Sequence, residues 1–123
     1  MPAPEFFERV GQRALYRPHR AANFEDAMEL CMAAIRFARD EKLTDILINV
    51  HGITGIEAVT AFMRYQLAVQ LAQNAGSLRV ALVVPEALMD PRKFAMLMAR
   101  NRGVNADVFT READALKWLD ACA

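Results

Sequence analysis

The stretch Leu43–Thr60, LTDILINVHGITGIEAVT, constrains the fold more than any other part of the chain. Its residues Ile46–Val50 are aliphatic and β-branched with little alternation of polar and apolar side chains, which is typical of a strand buried on both faces. The glycine-containing turn His51–Gly55 follows, and an amphipathic helical pattern comes next. In α/β proteins a strand, a turn and a helix N-terminus in this order often form a binding edge. The stretch therefore predicts a central strand with a candidate site directly after it.

Two further runs in the second half of the chain predict strands. Leu78–Val84, LRVALVV, is continuously apolar after Arg79 and is typical of a second buried strand. Val104–Val108 alternates apolar with polar residues, which indicates a half-exposed strand near an edge of the sheet. Together with the central strand, these runs predict a sheet whose middle is covered on both faces.

The N-terminal part predicts a hairpin. A strand over Arg13–Arg17 can pair with Phe6–Val10 across a turn at Gly11. Pro18 ends this strand, and a proline there favours an edge position because it cannot donate a ladder hydrogen bond. Met1–Glu5 contains two prolines and no periodicity, so we expect it to be disordered or loosely attached.

Four helical patterns separate or follow these strands. Asn23 is a good N-cap for the first, the second is predicted over Ile56–Ala75, Asp90-Pro91 is a strong start signal for the third, and Thr110 can cap the fourth. Spacing of three and four residues predicts which side chains face inward. These are Ile56, Val59, Met63, Leu67 and Leu71 in the second helix, Phe94, Leu97 and Met98 in the third, and Ala113, Leu116 and Leu119 in the fourth.

The alternation of strands and helices predicts an α/β fold. We expect a four- to five-stranded, mostly parallel sheet with right-handed crossovers, an antiparallel N-terminal edge strand and about four helices. A length of 123 residues is typical of a single domain, and neither a repeat nor a linker divides residues 1–123.

Composition narrows the possible functions. Fifteen basic and fifteen acidic residues give zero net charge, so no overall field attracts nucleic acid or an anionic membrane. Zero net charge favours self-association, and a wide apolar arc around Phe62, Met63 and Val69 adds to it, so we predict a homodimer. Cys31 and Cys122 lack metal-ligand spacing, so we predict neither metal nor cofactor. No leader pattern or membrane-length apolar run occurs, and we expect a cytoplasmic protein.

The central stretch also resembles a known family. The pattern Ile46-Leu47-Ile48-Asn49-Val50-His51-Gly52-Ile53-Thr54-Gly55-Ile56-Glu57-Ala58 is similar to the strand, glycine turn and helix start of STAS domains, and in particular of their SpoIIAA-like relatives. The ending Val108-Phe109, Glu112-Ala113 and Ala115–Leu119 is similar as well, so the resemblance covers roughly residues 13–120. It implies a STAS-like fold and a protein that binds partners or ligands without catalysis.

One residue departs from the family pattern. Regulatory STAS domains carry a serine at the helix start that becomes phosphorylated, and Ala58, which has no hydroxyl, occupies the corresponding position. If Ala58 lies in the first turn of the second helix, Thr60 points to another side of it and Thr54 is engaged as the cap. We therefore predict that the protein is not a serine/threonine phospho-switch.

The candidate site residues allow more than one interpretation. His51 and Glu57 could be an acid–base pair, or a turn residue and a helix-start carboxylate that favours the dipole. Arg92 and Lys93 fall in the predicted first turn of the third helix, where the dipole disfavours cations, so they could bind an anion or a nearby acid. The candidate partner- or ligand-binding residues are His51, Gly52, Thr54, Gly55, Glu57, Ala58 and Arg92.

Three functions follow from this sequence, in order of preference. The first is a non-catalytic, regulatory module that binds a protein partner through His51–Ala58. The second is a binder of a small apolar or anionic ligand, held between that edge and the Val84–Pro91 loop. The third, an enzyme, requires His51 and Glu57 within hydrogen-bonding distance in a closed cleft. The prediction is that the protein is not an enzyme and that its partner is a protein or a small ligand.

Overall fold

The computed structural model describes residues 2–121, which form two small sheets and four helices. The strands are β1 Phe7–Val10, β2 Arg13–Tyr16, β3 Arg20–Ala21, β4 Asp45–Asn49, β5 Ile53–Thr54, β6 Arg79–Val83 and β7 Ala106–Phe109. The helices are α1 Phe24–Asp40, α2 Ala61–Asn74, α3 Phe94–Asn101 and α4 Glu112–Ala121, with a 3₁₀ turn at Glu86–Leu88. Within the described residues, no helix is both long and apolar enough to cross a membrane.

The main sheet confirms the predicted fold class. Its strands lie in the order β1-β2-β4-β6-β7, with β1 antiparallel to β2 and every other neighbouring pair parallel. The antiparallel edge strand is thus the N-terminal one, as expected. The strand before Pro18 is not at the edge, however, because β2 lies between β1 and β4. Pro18 is tolerated there because it follows the last paired residue of the strand and removes no ladder hydrogen bond.

The three crossover helices cover one face of this sheet and α4 covers the other. Each crossover moves one strand further in the same direction, so right-handed connections place α1, α2 and α3 on the same side. Ile48 lies on that side and is 1% exposed, which confirms the central buried strand. Its neighbour Leu47 points to the opposite face, where it packs with Ala115 and Leu119 of α4.

The β3–β5 pair is a feature that sequence patterns did not predict. Arg20 lies opposite Ile53 and Ala21 lies opposite Thr54 in a parallel pair of two residues each. The backbone N–H of Ala22 also donates to the carbonyl of Thr54 at 2.8 Å. This pair holds the chain before α1 against the turn after β4, at the carboxyl ends of the strands.

Helix α1 follows its local sequence signals. Asn23 is the N-cap, and its Oδ1 accepts a hydrogen bond from the backbone N–H of Asp26 at 2.8 Å. Glu25 and Asp26 lie in the first turn, where negative charge is favourable. The predicted apolar stripe is buried at Ala27, Cys31, Ala34, Ile35 and Ala38. Local propensity and packing agree along this helix.

Helix α2 begins later than predicted. It starts at Ala61, and the N-cap is Thr60, whose Oγ1 accepts from the backbone N–H of Met63 at 3.1 Å. Thr54 is therefore not a cap, because pairing with β3 keeps it extended in β5. Glu57 and Ala58 lie in an irregular segment before the helix, so neither belongs to its first turn. The geometric comparison of Ala58 with Thr60 on one helix is consequently wrong.

Helix α3 also starts late, and its inward face differs from the prediction. Asp90 does supply the start signal, since its oxygens accept from the backbone N–H groups of Arg92 and Phe94 at 3.1 and 3.0 Å. The helix begins only at Phe94, after Lys93 adopts a left-handed conformation. Phe94 and Leu97 are each 49% exposed, and the buried side chains are Ala95, Met96 and Ala99.

The fourth helix confirms part of its predicted inward face. It begins at Glu112, and its buried residues are Ala115 and Leu119. Leu116 is half-buried, whereas Ala113 is exposed and the prediction for it is wrong. Only two residues of α4 are thus fully shielded, which makes its other contacts important. Cys122, the second cysteine of the sequence, lies outside the described residues.

Candidate functional site

An apolar cavity of about 120 Å³ lies between the sheet and the three helices that share one of its faces. Its floor is formed by side chains of the parallel strands β4, β6 and β7, and α1 and α2 form its walls. The floor includes Ile48, Val80, Leu82 and Val108, and the walls include Met28, Cys31, Ile35, Leu67 and Leu71. Because these side chains are all apolar or, like the cysteine thiol, weakly polar, the cavity suits an apolar occupant.

The outer wall of the cavity is formed by two irregular segments. Ile56 and Val59 come from the segment between β5 and α2, and Leu88 and Phe94 come from the connection that leads into α3. Neither segment contributes ladder hydrogen bonds to the main sheet. This wall is therefore held mainly by side-chain packing and by a few polar contacts.

Charged groups at this outer wall are already paired. Arg64 Nε lies 3.7 Å from Asp90 Oδ2, which joins α2 to the connection before α3. Lys93 Nζ lies 3.0 Å from Asp107 Oδ1, and its ammonium group stands 5.2 Å from the ring centroid of Phe109. The pKa of Asp90 is lowered, chiefly by the hydrogen bond from the backbone N–H of Phe94. These contacts hold the connection before α3 and leave the interior of the cavity apolar.

Cys31 is a buried cysteine in the wall of the cavity. Its thiol is buried on α1, and burial raises its pKa to about 12. A thiol in this state is neutral at physiological pH, and the thiolate is the reactive form of cysteine. Cys31 therefore serves as part of an apolar wall and not as a nucleophile.

A polar cluster forms a second candidate site at the carboxyl ends of β2 and β4. Arg17 donates two hydrogen bonds to the carboxylate of Glu112, at 2.9 and 2.6 Å. Asn49 Nδ2 donates to the same carboxylate at 2.8 Å. The pKa of Glu112 falls to about 2, first because of the hydrogen bonds from Arg17 and then because of Asn49. The cluster joins the N-terminus of α4 to the strand ends.

His51 lies beside this cluster and does not form an acid–base pair with Glu57. Its backbone N–H donates to Asn49 Oδ1 at 2.9 Å, and its Nε2 lies 3.1 Å from the carbonyl oxygen of Thr110, so Nε2 carries the proton. Among the described residues, Glu57 makes no hydrogen bond with His51. The contact that the enzyme interpretation requires is therefore not formed.

The two glycines of the turn permit a close approach of backbone segments. A Cβ at Gly52 would lie 2.5 Å from His19 Nδ1 and 2.6 Å from the carbonyl oxygen of Pro18. A Cβ at Gly55 would lie 2.9 Å from the carbonyl oxygen of Ala22, and Gly55 has a φ of +107°. Both glycines thus explain how the chain before α1 packs against this turn.

The predicted site residues do not converge on the cavity. Thr54, Glu57, Ala58 and Arg92 are exposed, and none of the seven predicted residues lines the cavity. Lys93, the neighbour of Arg92, forms an ion pair with Asp107, so an acid lies near it, which is one of the two expected alternatives. Both basic residues precede α3, and Lys93 is its N-cap, where pairing with Asp107 compensates the unfavourable position of a cation at the positive end of the dipole.

The residues that line the cavity differ from the candidate residues that the sequence indicates in the same segment. Ile56 and Val59 are the members of the His51–Thr60 region that line the cavity. The available signal was two apolar residues beside a turn, which we assigned to a helix stripe. Arg17, Asn49 and Glu112 were missed because the arginine and the carboxylate are 95 residues apart in the chain. No local spacing predicts such a contact.

Within residues 2–121, no group of three histidine, cysteine or acidic side chains is placed to hold a metal ion. In comparisons with known protein families and with curated proteins, nothing matches this chain. Function therefore has to be argued from the geometry of the molecule.

Proposed function

We propose that this protein binds a small apolar ligand in the cavity between the sheet and α1, α2 and α3, and does so without catalysis. The observation that carries the proposal is the apolar lining of a cavity of about 120 Å³. An apolar cavity of about 150 Å³ can stay dry and take up benzene or xenon. A cavity of the present size therefore suits a single ring or a short alkyl chain.

A larger ligand requires movement of the outer wall. Drug-sized ligands occupy pockets of about 300–1,000 Å³, so the present volume accommodates only a small molecule or part of a larger one. Ile56 and Val59 lie on a segment without helix or sheet hydrogen bonds, and this segment can be displaced at low cost. We propose that an alkyl chain longer than the cavity enters between this segment and Phe94.

The polar groups near the cavity support binding without chemistry. Arg64 and Lys93 are paired with Asp90 and Asp107, and the Cys31 thiol is neutral. Binding of an apolar molecule needs no activated group, whereas catalysis needs a base, a nucleophile or a positioned dipole. The ion pairs instead hold the connection before α3, which is one of the two segments of the outer wall.

Toluene is a suitable first probe. We expect a saturable rise of the melting temperature, because a ligand that binds only the folded state stabilises it. Cys31→Leu adds volume to the wall and should weaken this effect, whereas the control Ala113→Leu, on the exposed side of α4, should leave it unchanged. A melting temperature that does not respond to toluene, or that responds equally in both variants, would contradict the proposal.

A second candidate function is the binding of a protein partner, with a second copy of the chain as the first choice. The supporting observation is the α2–α3 surface, defined by Phe62, Tyr65, Phe94 and Leu97, which are 67%, 45%, 49% and 49% exposed. Four large apolar side chains on two packed helices form the kind of patch that often marks an interface. The resemblance to STAS domains agrees with partner binding and stays part of this proposal.

Sedimentation tests the homodimer. A dimer of this 13.8 kDa chain should dissociate when Phe62→Glu places a charge in the α2–α3 surface. Ala113→Glu adds the same charge on the exposed side of α4 and serves as the control. A single monomeric species at high protein concentration would remove the homodimer and leave only another protein as the partner.

The absence of a phospho-switch also stays a prediction, now on different grounds. Thr60 Oγ1 is engaged as the α2 cap, so its phosphorylation would cost the helix a stabilising contact. Thr54 is exposed in β5, next to the turn. Incubation with ATP and a lysate of the source organism, followed by peptide mapping, should find neither residue modified. Stoichiometric phosphate on Thr54 would restore a displaced switch.

A further inference from the structure

A second depression, separate from the apolar cavity, lies on the other side of α1. We call it the Tyr16 groove and define it by Glu5, Phe6, Tyr16, His19, Arg20 and Leu30. Its volume is about 430 Å³, which falls within the range of pockets that hold small organic molecules. Leu30 contributes an apolar wall from α1, and the N-terminal segment and the chain before β3 form the other sides.

The phenol of Tyr16 is the first sign of a ligand in this groove. Tyr16 is 2% exposed, and its hydroxyl takes part in none of the side-chain hydrogen bonds among residues 2–121. Because every fully shielded side-chain nitrogen or oxygen in these residues has a partner, the Tyr16 oxygen keeps some exposed surface, and Tyr16 lines the groove. Burial raises the pKa of Tyr16 to about 12, which keeps the hydroxyl protonated as a donor.

The rings that flank the groove are held in place by the backbone. Phe6 has a left-handed φ of 67°, a conformation that is strained for a non-glycine residue and is often found at binding sites. Its carbonyl accepts from the N–H of Arg17 at 3.3 Å, which holds this strained residue. The ring of Phe6 lies 6.4 Å from that of His19, and His19 is packed against Gly52.

Charge in the groove favours an anion at one end. Arg20 lines the same groove as Tyr16, and its guanidinium forms no ion pair with the rest of the described chain. Arg20 and the Tyr16 hydroxyl are both donors, and a carboxylate accepts hydrogen bonds from both kinds of group. Glu5 lies at the same groove and weakens the attraction for an anion without removing it.

We propose that the Tyr16 groove binds a small aromatic carboxylate, with the carboxylate on Arg20 and the Tyr16 hydroxyl and the ring against Phe6 and His19. The apolar part of the ligand then contacts Leu30, and the acid satisfies the phenol that the protein leaves without a partner. This site is independent of the apolar cavity, because Cys31 and Met28 line the cavity and neither lines the groove.

Benzoate is the probe, and Tyr16 itself reports its binding. The chain contains two tyrosines, so Tyr65→Phe leaves Tyr16 as the single site for 3-fluorotyrosine and a single fluorine resonance. Titration with benzoate should shift this resonance saturably. Benzamide, which has the same ring and no charge, should shift it much less at equal concentration.

Two variants of the groove and one control make the test specific. Arg20→Gln should weaken benzoate binding about tenfold, the loss expected for one charge-assisted hydrogen bond. Glu5→Gln should tighten it, a gain that misfolding cannot produce. Arg9→Gln, on β1 outside the groove, should leave the affinity unchanged. An unsaturable shift, equal shifts for benzamide, or unchanged affinity in Arg20→Gln would each overturn the proposal.

Discussion

The two faces of the main sheet are held by different kinds of contact. On one face, three helices pack through a large set of buried apolar side chains, and the packing is loose enough to leave a cavity. On the other face, α4 is alone and buries only Ala115 and Leu119 fully. The comparison shows that a broad apolar contact can tolerate a cavity, whereas a short single helix depends on directional contacts at its ends.

Two arginine–carboxylate clusters supply those contacts. At the N-terminus of α4, Arg17 and Asn49 bind the carboxylate of Glu112. At its C-terminus, Arg79 donates to the carbonyl of Leu119 at 3.2 Å, and Arg13 donates to Asp120 at 2.8 Å. The helix is thereby fixed at both ends to the strands of the sheet.

Asp45 is the centre of the cluster at the C-terminal end. Its carboxylate accepts from Arg13 Nε at 2.8 Å and from an Arg79 guanidinium nitrogen at 3.1 Å, and its side chain is 3% exposed. The strand register places Arg13, Asp45 and Arg79 side by side at the start of three neighbouring strands. All three side chains are at least partly buried. The negative charge of Asp45 therefore compensates the positive charges of Arg13 and Arg79, which would otherwise repel each other.

The largest effect should come from removing this carboxylate. We expect Asp45→Ala to lower the free energy of unfolding by about 3–5 kcal/mol, because it leaves buried charge without a partner. Asp120→Ala, whose side chain is 70% exposed, should cost about 1 kcal/mol or less. Urea denaturation measures both. Equal losses of unfolding free energy in the two variants would show that burial does not make the Asp45 carboxylate more important for stability than the Asp120 carboxylate.

Adjacent residues of β4 allow the two faces to be compared directly. Ile48→Ala and Leu47→Ala should each cost about 2–5 kcal/mol, since both side chains are fully buried. Ile48 borders the cavity and Leu47 packs on α4, so Ile48 loses fewer contacts and should fall at the lower end. Urea midpoints give the order. Coinciding midpoints of Ile48→Ala and the parent would contradict its central position.

The start of α2 is tested by two threonines. Thr60→Ala should cost about 1 kcal/mol, because Oγ1 then no longer accepts from the N–H of Met63. Thr54→Ala should have little effect on stability, since the hydroxyl of Thr54 caps no helix. Thermal unfolding of both variants under one condition decides between them. A larger loss at Thr54 would favour the earlier helix start that we predicted from sequence.

The smallest effect concerns the pH dependence of the Glu112 cluster. The pKa of Glu112 is lowered from 4.5 to about 2. The ionised carboxylate therefore contributes to stability above pH 4.5, and this contribution is lost as the pH falls toward 2. Arg17 is 40% exposed, and solvent screening keeps the contribution to about 1 kcal/mol or less. The stability difference between the parent and Glu112→Gln should shrink over this range. Asp114→Asn, an exposed change on the same helix, is the control.

Much of the fold could be predicted because its signals are local. The Asn23 cap and the spacing from Ala27 to Ala38 are written within one helix, and the structure confirms both. The apolar runs around Ile48 and Val80 specify buried strands without any knowledge of their neighbours. Alternating strands and helices then leave few arrangements other than a mostly parallel sheet.

The errors occur where a distant segment overrides a local preference. Thr54 is a good capping residue, but pairing with Ala21 keeps it in a strand and delays α2 to Ala61. At α3 the cause is local instead, because Asp90 accepts from the N–H groups of Arg92 and Phe94 and the helix begins only at Phe94.

The sequence by itself determined the fold class, the position of the central strand and the segment that borders the cavity, because backbone propensity and apolar spacing act over a few residues. Only the tertiary structure decided which side chains meet. Arg17 with Glu112 and Arg13 with Asp45 are joined across 95 and 32 residues. The cavity likewise exists only where α1, α2 and α3 pack over the same face, and its volume is the space that their side chains leave between them.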